Sequence, residues 1–272
     1  MPDTTPTAGF DLDAYFKGIG WTGSARADLA TLRGVHLAHA RAIPFENLDP
    51  LAGEAPSLDL ADITAKMLHS RRGGYCYEHN TLFAAVLQAL GFGVTLLAAR
   101  VVVGTDRFES RPRSHMALLV EVPGDPQPYL ADVGFGAIGG LLEPVPLIAE
   151  TEFADAGRHH RLVHTPHDGP LEPWVLQAHT AEGWESQYAF TLEPFEHSDF
   201  EMINWHVATN PRSPFSRRMY VLRVTPERHL LLDDGVLTET REDGLVTTRR
   251  LADRAEMVRV LDEEFGIEIP RP

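Results

Sequence analysis

The hydrophobic residues follow a helical period over the first ninety positions of the chain. In DLDAYFKGIG, Leu12, Phe16 and Ile19 recur at intervals of three and four and share one face of a helix. Similar spacing predicts helices in SARADLATLRGVHLAHARA, with Ser24 as a possible N-cap, and in LDLADITAKMLHS. CYEHNTLFAAVLQALG repeats the pattern and ends at Gly91, a residue type common at helix C-termini.

The period changes to two after about residue 92. Strands are predicted in VTLLAARVVV, SHMALLVEV, PYLADVGFG, PWVLQAH and ESQYAFTL, which are separated by turn residues. A mixed section follows, with a helix in SDFEMINWHVATN, strands in MYVLRV and HLLLDDGVLTE, and a closing amphipathic helix in DRAEMVRVLDEEFG. We therefore predict an α+β fold with a helical domain at 1–91, a β domain at 92–195 and an α/β domain at 196–272.

Composition and charge limit the partners that the protein can bind. The 272 residues carry a formal net charge of −15, which argues against nucleic acids and anionic membranes because both are bound through Lys and Arg. The N-terminus lacks the basic and apolar regions of a signal peptide, and no window approaches the roughly 18 apolar residues of a membrane span. We expect a cytoplasmic protein whose oligomeric state the sequence does not define.

The only cysteine of the chain, Cys76, lies in RRGGYCYEHN at the predicted start of a helix. A helix N-terminus carries partial positive charge and free backbone N–H groups, which stabilise a thiolate and can donate to a developing oxyanion. The two glycines before it permit a close approach of the backbone to a ligand. One cysteine cannot form an internal disulfide or a thiolate-rich zinc site, so Cys76 is either a packing residue or a reactive thiol.

A reactive thiol needs a base, and the base needs an orienting group. His115 opens the strand pattern SHMALLVEV, and Asp132 lies in the next one, YLADVGFG. If the hairpin between them centres on Pro123 and Gly124, the two side chains are directly opposite on one face of the sheet. Other registers separate them, and the sequence alone does not choose. A carboxylate in an apolar run nevertheless requires a cationic or hydrogen-bonding partner.

RGGYCYEHN resembles the active-site signature of the arylamine N-acetyltransferases, Arg-Gly-Gly-x-Cys-x-Glu-x-Asn. The matching positions are Arg72, Gly73, Gly74, Cys76, Glu78 and Asn80. IPFENLD, SHMALLV and ADVGFG are similar to three further segments of that family, and all four occur in family order over nearly the whole chain. The resemblance implies a cysteine-protease-like core with a helical bundle, a β-barrel or sheet and an α/β lid. It also implies a catalytic triad of Cys76, His115 and Asp132.

The resemblance further implies an activity and its substrates. The implied acyl donor is acetyl-coenzyme A, the acceptor is an arylamine or arylhydrazine, the intermediate is an acetyl-cysteine in a ping-pong reaction, and no metal takes part. Phe45 and Phe135 match positions that line the acceptor pocket, and Phe215 ends a segment, TNPRSPF, that resembles one near the coenzyme A cleft. Gly134 and Gly136, in the loop GFGAIGG, are candidate substrate-binding positions that could narrow access to the site.

Three alternatives stay open at the level of sequence. An amide synthase of natural-product assembly, which closes a macrolactam, resembles the acetyltransferases in fold and triad. A transglutaminase or cysteine peptidase uses the same three residue types, although IPFENL has no place in those patterns. In a non-catalytic binding protein, Cys76 would only pack.

Overall fold

Helices fill the first part of the chain. The computed structural model describes residues 10–105, 107–166, 169–225, 228–241 and 244–269. Its first elements are α1 (Leu12–Ile19), α2 (Leu29–Ala42), the short strand β1 (Phe45–Glu46), α3 (Leu48–Leu51), α4 (Leu60–Thr64) and α5 (Cys76–Leu90). A π-helical turn, Ala65–His69, continues α4. None of the helices in the described ranges combines the length and hydropathy that a bilayer crossing requires.

The capping residues determine where these helices begin and end. Asp28 Oδ1 accepts a hydrogen bond from Thr31 N at 2.9 Å, and α2 therefore begins after Asp28. The prediction that Ser24 caps this helix is wrong, because its hydroxyl accepts a hydrogen bond from Arg26 N in the preceding turn. Both residue types cap helices well, and the sequence pattern did not distinguish them. Gly91 ends α5 as predicted, with a φ of 97° in the left-handed region that favours glycine.

An antiparallel sheet follows α5. Its strands are β2 (Gly93–Val101), β3 (His115–Glu121), β4 (Pro128–Ala131), β5 (Val145–Pro146), β6 (Glu152–Asp155), β7 (Arg158–His164), β8 (Trp174–Thr180) and β9 (Gly183–Phe190). Among the described residues their order across the sheet is β5-β4-β3-β2-β9-β8-β7-β6. Each pair of neighbouring strands is consecutive in sequence except β2 and β9, whose pairing joins the two halves of the sheet and leaves β5 and β6 at its edges.

The hairpin of β3 and β4 has a different register from the one considered above. Leu118 lies opposite Ala131, so the turn centres on Gly124 and Asp125. The turn shifts because Asp125 is part of it, with its N–H donating to the carbonyl of the residue that follows β3 by one position. His115 and Asp132 are therefore diagonal neighbours and not direct opposites. A change of two positions in register keeps side chains on the same face, so the two can still meet.

A second sheet and two helices complete the fold. They are α6 (His197–Thr209), β10 (Tyr220–Val224), β11 (Arg228–Asp233), β12 (Val236–Arg241), β13 (Val246–Arg250) and α7 (Arg254–Glu263). Within the described residues, the sheet order is β1-β10-β11-β12-β13. Phe45 of β1 lies opposite Leu222 of β10, so a segment from the helical part forms one edge of the C-terminal sheet.

The C-terminal segment returns to the loop that precedes α5. Glu268 N donates to the carbonyl oxygen of Arg71 at 2.8 Å. Phe265 and Ile267 are buried in the core beneath the second sheet and anchor this segment. The loop before Cys76 is thus held in part by the C-terminal segment.

Candidate active site

Cys76 is the first residue of α5 and is almost fully buried, with 3% of its surface exposed. The glycines before it are required by the protein itself. A Cβ atom at Gly73 would lie 1.9 Å from the carbonyl oxygen of Pro44, and one at Gly74 would lie 2.6 Å from Glu78 Oε2. We expected these glycines to admit a ligand, but the groups that approach them belong to the chain.

His115, the first residue of β3, forms a short hydrogen bond with Asp132. Its Nε2 lies 2.6 Å from Asp132 Oδ2, and both side chains are buried. Burial opposes protonation of the imidazole, but the Asp132 carboxylate outweighs it and, together with the Cys76 side chain, raises the pKa of His115 to about 10. The same pairing keeps the pKa of Asp132 below its ordinary value despite burial. Because Nε2 faces the carboxylate, Nδ1 is the ring nitrogen left for the thiol.

Asn80 holds the second oxygen of Asp132. Its Nδ2 donates to Asp132 Oδ1 at 2.9 Å and to the Met116 carbonyl at 2.8 Å, while its Oδ1 accepts from Val133 N at 3.1 Å. Gly134 N also donates to Asp132 Oδ1, at 2.9 Å. The final asparagine of the signature therefore fixes the carboxylate that orients the histidine, a role that the motif match alone did not indicate.

His36 supports Asp132 from α2. Its Nδ1 donates to the Leu142 carbonyl at 2.8 Å, so its Nε2 can accept the main-chain N–H of Asp132 at 3.1 Å. Burial lowers the pKa of His36 to about 4, which keeps the ring neutral for this role. Sequence reasoning missed His36. The available signal was a histidine on the apolar face of α2, next to Val35.

The three phenylalanines that were predicted to line the substrate site lie close to one another near His115 and Asp132. The ring of Phe135 lies 5.1 Å from the His115 ring, measured between centroids. Phe45 and Phe135 line one narrow cleft together with Asp132. Phe215 contacts Phe45 at a centroid distance of 5.9 Å. The structure therefore brings the three predicted phenylalanines together, with Phe45 at the centre.

Gly134 and Gly136 allow the loop after β4 to pack closely. A Cβ atom at Gly134 would lie 2.8 Å from Cys76 Cα, and one at Gly136 would lie 2.5 Å from the Phe45 ring. Both distances are shorter than carbon atoms tolerate. These positions therefore set the spacing between the loop and its two neighbours, the candidate nucleophile and the aromatic ring of the cleft.

An ion-pair network holds the loop before α5. Arg72 donates to Glu46 at 2.7 Å and to Asp49 at 2.5 Å. Lys66, in the π-helical turn, contacts Asp49 at 2.5 Å and Glu78 at 2.7 Å. Glu78 also accepts a main-chain N–H at the start of α5. Burial raises the pKa of Glu78 to about 7, although Lys66 opposes the shift. Arg72 and Glu78, two positions of the signature, thus connect the glycine loop to the helix that carries the thiol.

Asn47 connects the helical part to the C-terminal part. Its Nδ2 donates to the carbonyl oxygens of Phe215 at 2.7 Å and Arg218 at 2.8 Å, and its Oδ1 accepts from Tyr220 N at 2.7 Å. Asn47, the asparagine of IPFENLD, therefore holds the segment that contains Phe215 through three hydrogen bonds. The contacts span more than a hundred and sixty positions of sequence, and no local pattern indicated them.

A buried thiol that meets an imidazole and a carboxylate at a helix N-terminus is typical of enzymes that transfer or hydrolyse acyl groups through cysteine. Within the ranges that the structure describes, no group of three or more His, Cys, Asp and Glu side chains is arranged to hold a metal ion. Comparisons with known proteins narrow the class. A family model described as N-acetyltransferase matches residues 28–272.

Similar proteins cover almost the full chain. The arylamine N-acetyltransferase of Mycolicibacterium smegmatis is 38% identical over 262 residues, which are 95% of this chain and 92% of that protein. The crystal structure of the Nocardia farcinica arylamine N-acetyltransferase is 42% identical with a TM-score of 0.90, covering 97% of this chain and 91% of the other. A Mycobacterium marinum arylamine N-acetyltransferase in complex with CoA is 35% identical with a TM-score of 0.87, covering 94% and 93%. The chain belongs to the arylamine N-acetyltransferase family, and it is an acyltransferase with the α+β fold of that family, as predicted.

Proposed function

We propose that the protein transfers an acetyl group from acetyl-coenzyme A to an arylamine or arylhydrazine through an acetyl-Cys76 intermediate. The observation that carries this proposal is the 2.6 Å hydrogen bond between His115 Nε2 and Asp132 Oδ2, beside a thiol at a helix N-terminus. The CoA complex of the M. marinum relative supports coenzyme A as the carrier of the acyl group. The relatives named above are all arylamine N-acetyltransferases, which favours this activity over macrolactam formation, transglutamination or peptide hydrolysis.

In the first half-reaction, Cys76 gives its proton to Nδ1 of His115. The thiolate attacks the thioester carbonyl carbon, and the resulting oxyanion accepts hydrogen bonds from main-chain N–H groups of the first turn of α5. When the tetrahedral intermediate collapses, the bond to the coenzyme A sulfur breaks and that sulfur takes the proton from His115. The products are acetyl-Cys76 and free coenzyme A.

In the second half-reaction, the amine lone pair attacks the acetyl carbonyl. His115 removes the N–H proton, the C–N bond forms, and the C–S bond breaks to release the amide and restore the Cys76 thiolate. Acetylation removes the negative charge of the thiolate, which is one of the interactions that raise the pKa of His115. Loss of this charge lowers the pKa of His115 and shifts the imidazole toward the neutral form, which is the form that can accept the amine proton. Aromatic amines suit this step because they are largely unprotonated near neutral pH, and Phe45 and Phe135 offer apolar faces for the ring.

The test is the release of free coenzyme A by the purified protein. Acetyl-coenzyme A alone should give a burst that matches the enzyme concentration, and arylamines or arylhydrazines should convert the burst into continuous turnover with ping-pong kinetics. Cys76→Ala should abolish both. Absence of acceptor-dependent release, in a sample whose Cys76 is alkylated readily, would refute the proposed function.

A further inference from the structure

A chain of buried polar side chains crosses the helical part beside the candidate active site. Tyr15 Oη lies 2.8 Å from His39 Nδ1, and His39 Nε2 lies 2.9 Å from His79 Nδ1. His79 Nε2 lies 3.2 Å from the carbonyl oxygen of Pro44. The three side chains are at most 1% exposed. They link α1, α2 and α5 to the residue before Phe45, and the mechanism above does not use them.

The carbonyl end fixes the direction of each hydrogen bond. Pro44 O can only accept, so His79 donates from Nε2 and carries a lone pair on Nδ1. His39 then donates from Nε2 to His79 and accepts from Tyr15 at Nδ1. A second proton on His79 would set its Nδ1–H against the Nε2–H of His39, so the His79 ring is neutral. Complete burial keeps the His39 ring neutral as well. Burial agrees with this assignment, since it lowers the pKa of His79 to about 4 and holds that of His39 well below the ordinary value.

The same carbonyl excludes a proton relay. A main-chain amide oxygen does not take up a proton near neutral pH, so the chain has no terminal acceptor for a moving proton. His115 directs its Nε2 to Asp132 and lies outside this series of contacts. The hydrogen-bonded series therefore acts by fixing the positions of Pro44 and Phe45.

His79 contacts the segment around Phe45 in two ways. Its Nε2 holds the Pro44 carbonyl, and its ring lies nearly parallel to the Phe45 ring, with 6.3 Å between centroids and 5° between planes. The missing side chain of Gly73 makes room for the same carbonyl, because a Cβ atom there would come within 1.9 Å of it. Phe45 lines the cleft together with Phe135. A displacement of His79 would thus move a wall of the cleft.

We propose that Tyr15, His39 and His79 are positioning residues that set the Phe45 ring for the acceptor, and that His79 determines selectivity for acceptors that carry an aromatic ring. This inference rests on the proposed function and concerns only its second half-reaction. Acetylation of Cys76 requires the thiol and its polar partners. Attack by an aromatic acceptor also requires a correctly placed ring on the cleft wall.

The test compares phenylhydrazine with hydrazine, which has the same nucleophilic group and no ring. In His79→Leu, the burst of coenzyme A and the deacetylation by hydrazine should stay within about threefold of wild type, while deacetylation by phenylhydrazine should fall about tenfold or more. His79→Gln keeps an N–H that can reach Pro44 O and should recover most of the rate with phenylhydrazine. Tyr15→Phe removes only the far end of the chain and should give a smaller loss in the same direction.

Leu87→Ala is the matched control, because Leu87 is buried on α5 in the hydrophobic cluster that contains Tyr15 and has an apolar side chain that cannot take part in the hydrogen-bonded chain. It should lower stability and leave the ratio of phenylhydrazine to hydrazine rates unchanged. An equal loss with both acceptors, a reduced burst, or an unchanged ratio in His79→Leu would overturn the inference. Side-chain ¹⁵N spectra test the chain independently of activity, since His39 and His79 must both be Nε2–H tautomers. A wild-type protein without a burst would refute the proposed function, and these spectra would still decide whether the chain exists.

Discussion

Asp132→Asn tests whether the buried carboxylate is what makes His115 an effective partner of the thiol. Asparagine has the same shape, and its Oδ1 can still accept from Asn80 and Gly134, as Asp132 Oδ1 does at 2.9 Å in both cases. The substitution changes the other carboxylate oxygen, Oδ2, which bonds to His115. An NH₂ group replaces Oδ2 and donates to His115 Nε2, so the imidazole must carry its proton on Nδ1, the nitrogen that should receive the proton of Cys76.

The size of the effect follows from the environment of His115. Its pKa stands at about 10, where the ordinary value is 6.5, even though burial acts in the opposite direction. That difference corresponds to about 5 kcal/mol of stabilisation of the imidazolium, most of which depends on the Asp132 charge. A similar replacement in a Ser-His-Asp triad costs about 10⁴-fold in rate. We expect the rate of the coenzyme A burst to fall about 10³- to 10⁴-fold.

Two measurements check this expectation. Stopped-flow detection of coenzyme A release gives the burst rate, and the rate of Cys76 alkylation by iodoacetamide at a fixed neutral pH should fall in the variant. Asp125→Asn is the control, because Asp125 lies in the same hairpin and bonds to Tyr129 Oη at 2.9 Å, away from His115. A burst rate in Asp132→Asn within about tenfold of wild type would show that the carboxylate does not supply this stabilisation.

Further substitutions probe the nucleophile, the cleft and the buried histidines. Cys76→Ala should abolish turnover while changing the free energy of unfolding by about 1–2 kcal/mol, and collapse of the fold in a urea titration would indicate a packing role. Gly136→Ala should push the Phe45 ring, now 2.5 Å from the position of the new Cβ, and raise the KM for arylamines about tenfold while sparing the coenzyme A burst. An unchanged KM would contradict the assignment of the cleft. His36 and His79 have pKa values of about 4 in the fold and 6.5 when unfolded. Their contribution is complete above pH 6.5 and is lost as pH falls toward 4, because the unfolded chain then binds protons that the folded chain does not. His79→Gln should therefore flatten the plot of unfolding free energy against pH by roughly 1 kcal/mol per pH unit in this window, and parallel plots would refute it.

The sequence predicted those parts of the structure that depend on neighbouring residues. The apolar stripe and Gly91 define α5, and with it the position of Cys76 in the first turn of a helix. The strand patterns that begin at His115 and approach Asp132 are also present as expected. In each case the information lies within a few positions of the chain, where periodicity and capping act.

Contacts between distant segments could not be read in this way. The register of the β3–β4 hairpin depends on how the turn at Asp125 closes, and several closures fit the same composition. His36 reaches Asp132 across 96 positions, and Asn47 reaches Phe215 across 168. Histidine and asparagine at such positions satisfy many different environments, so residue type alone does not identify their partners.

The hydrogen bond between Glu268 N and the Arg71 carbonyl can form only late in synthesis, because Glu268 is made long after the loop that it contacts. A ribosome releases the nucleophile helix long before it releases the segment that packs against the loop in front of it. Until then the nascent chain carries Cys76 without the contacts that Tyr220 and Glu268 bring to that region. A product terminated before residue 268 would therefore contain every candidate catalytic side chain, yet it would lack the last main-chain contact that fixes the loop beside the nucleophile.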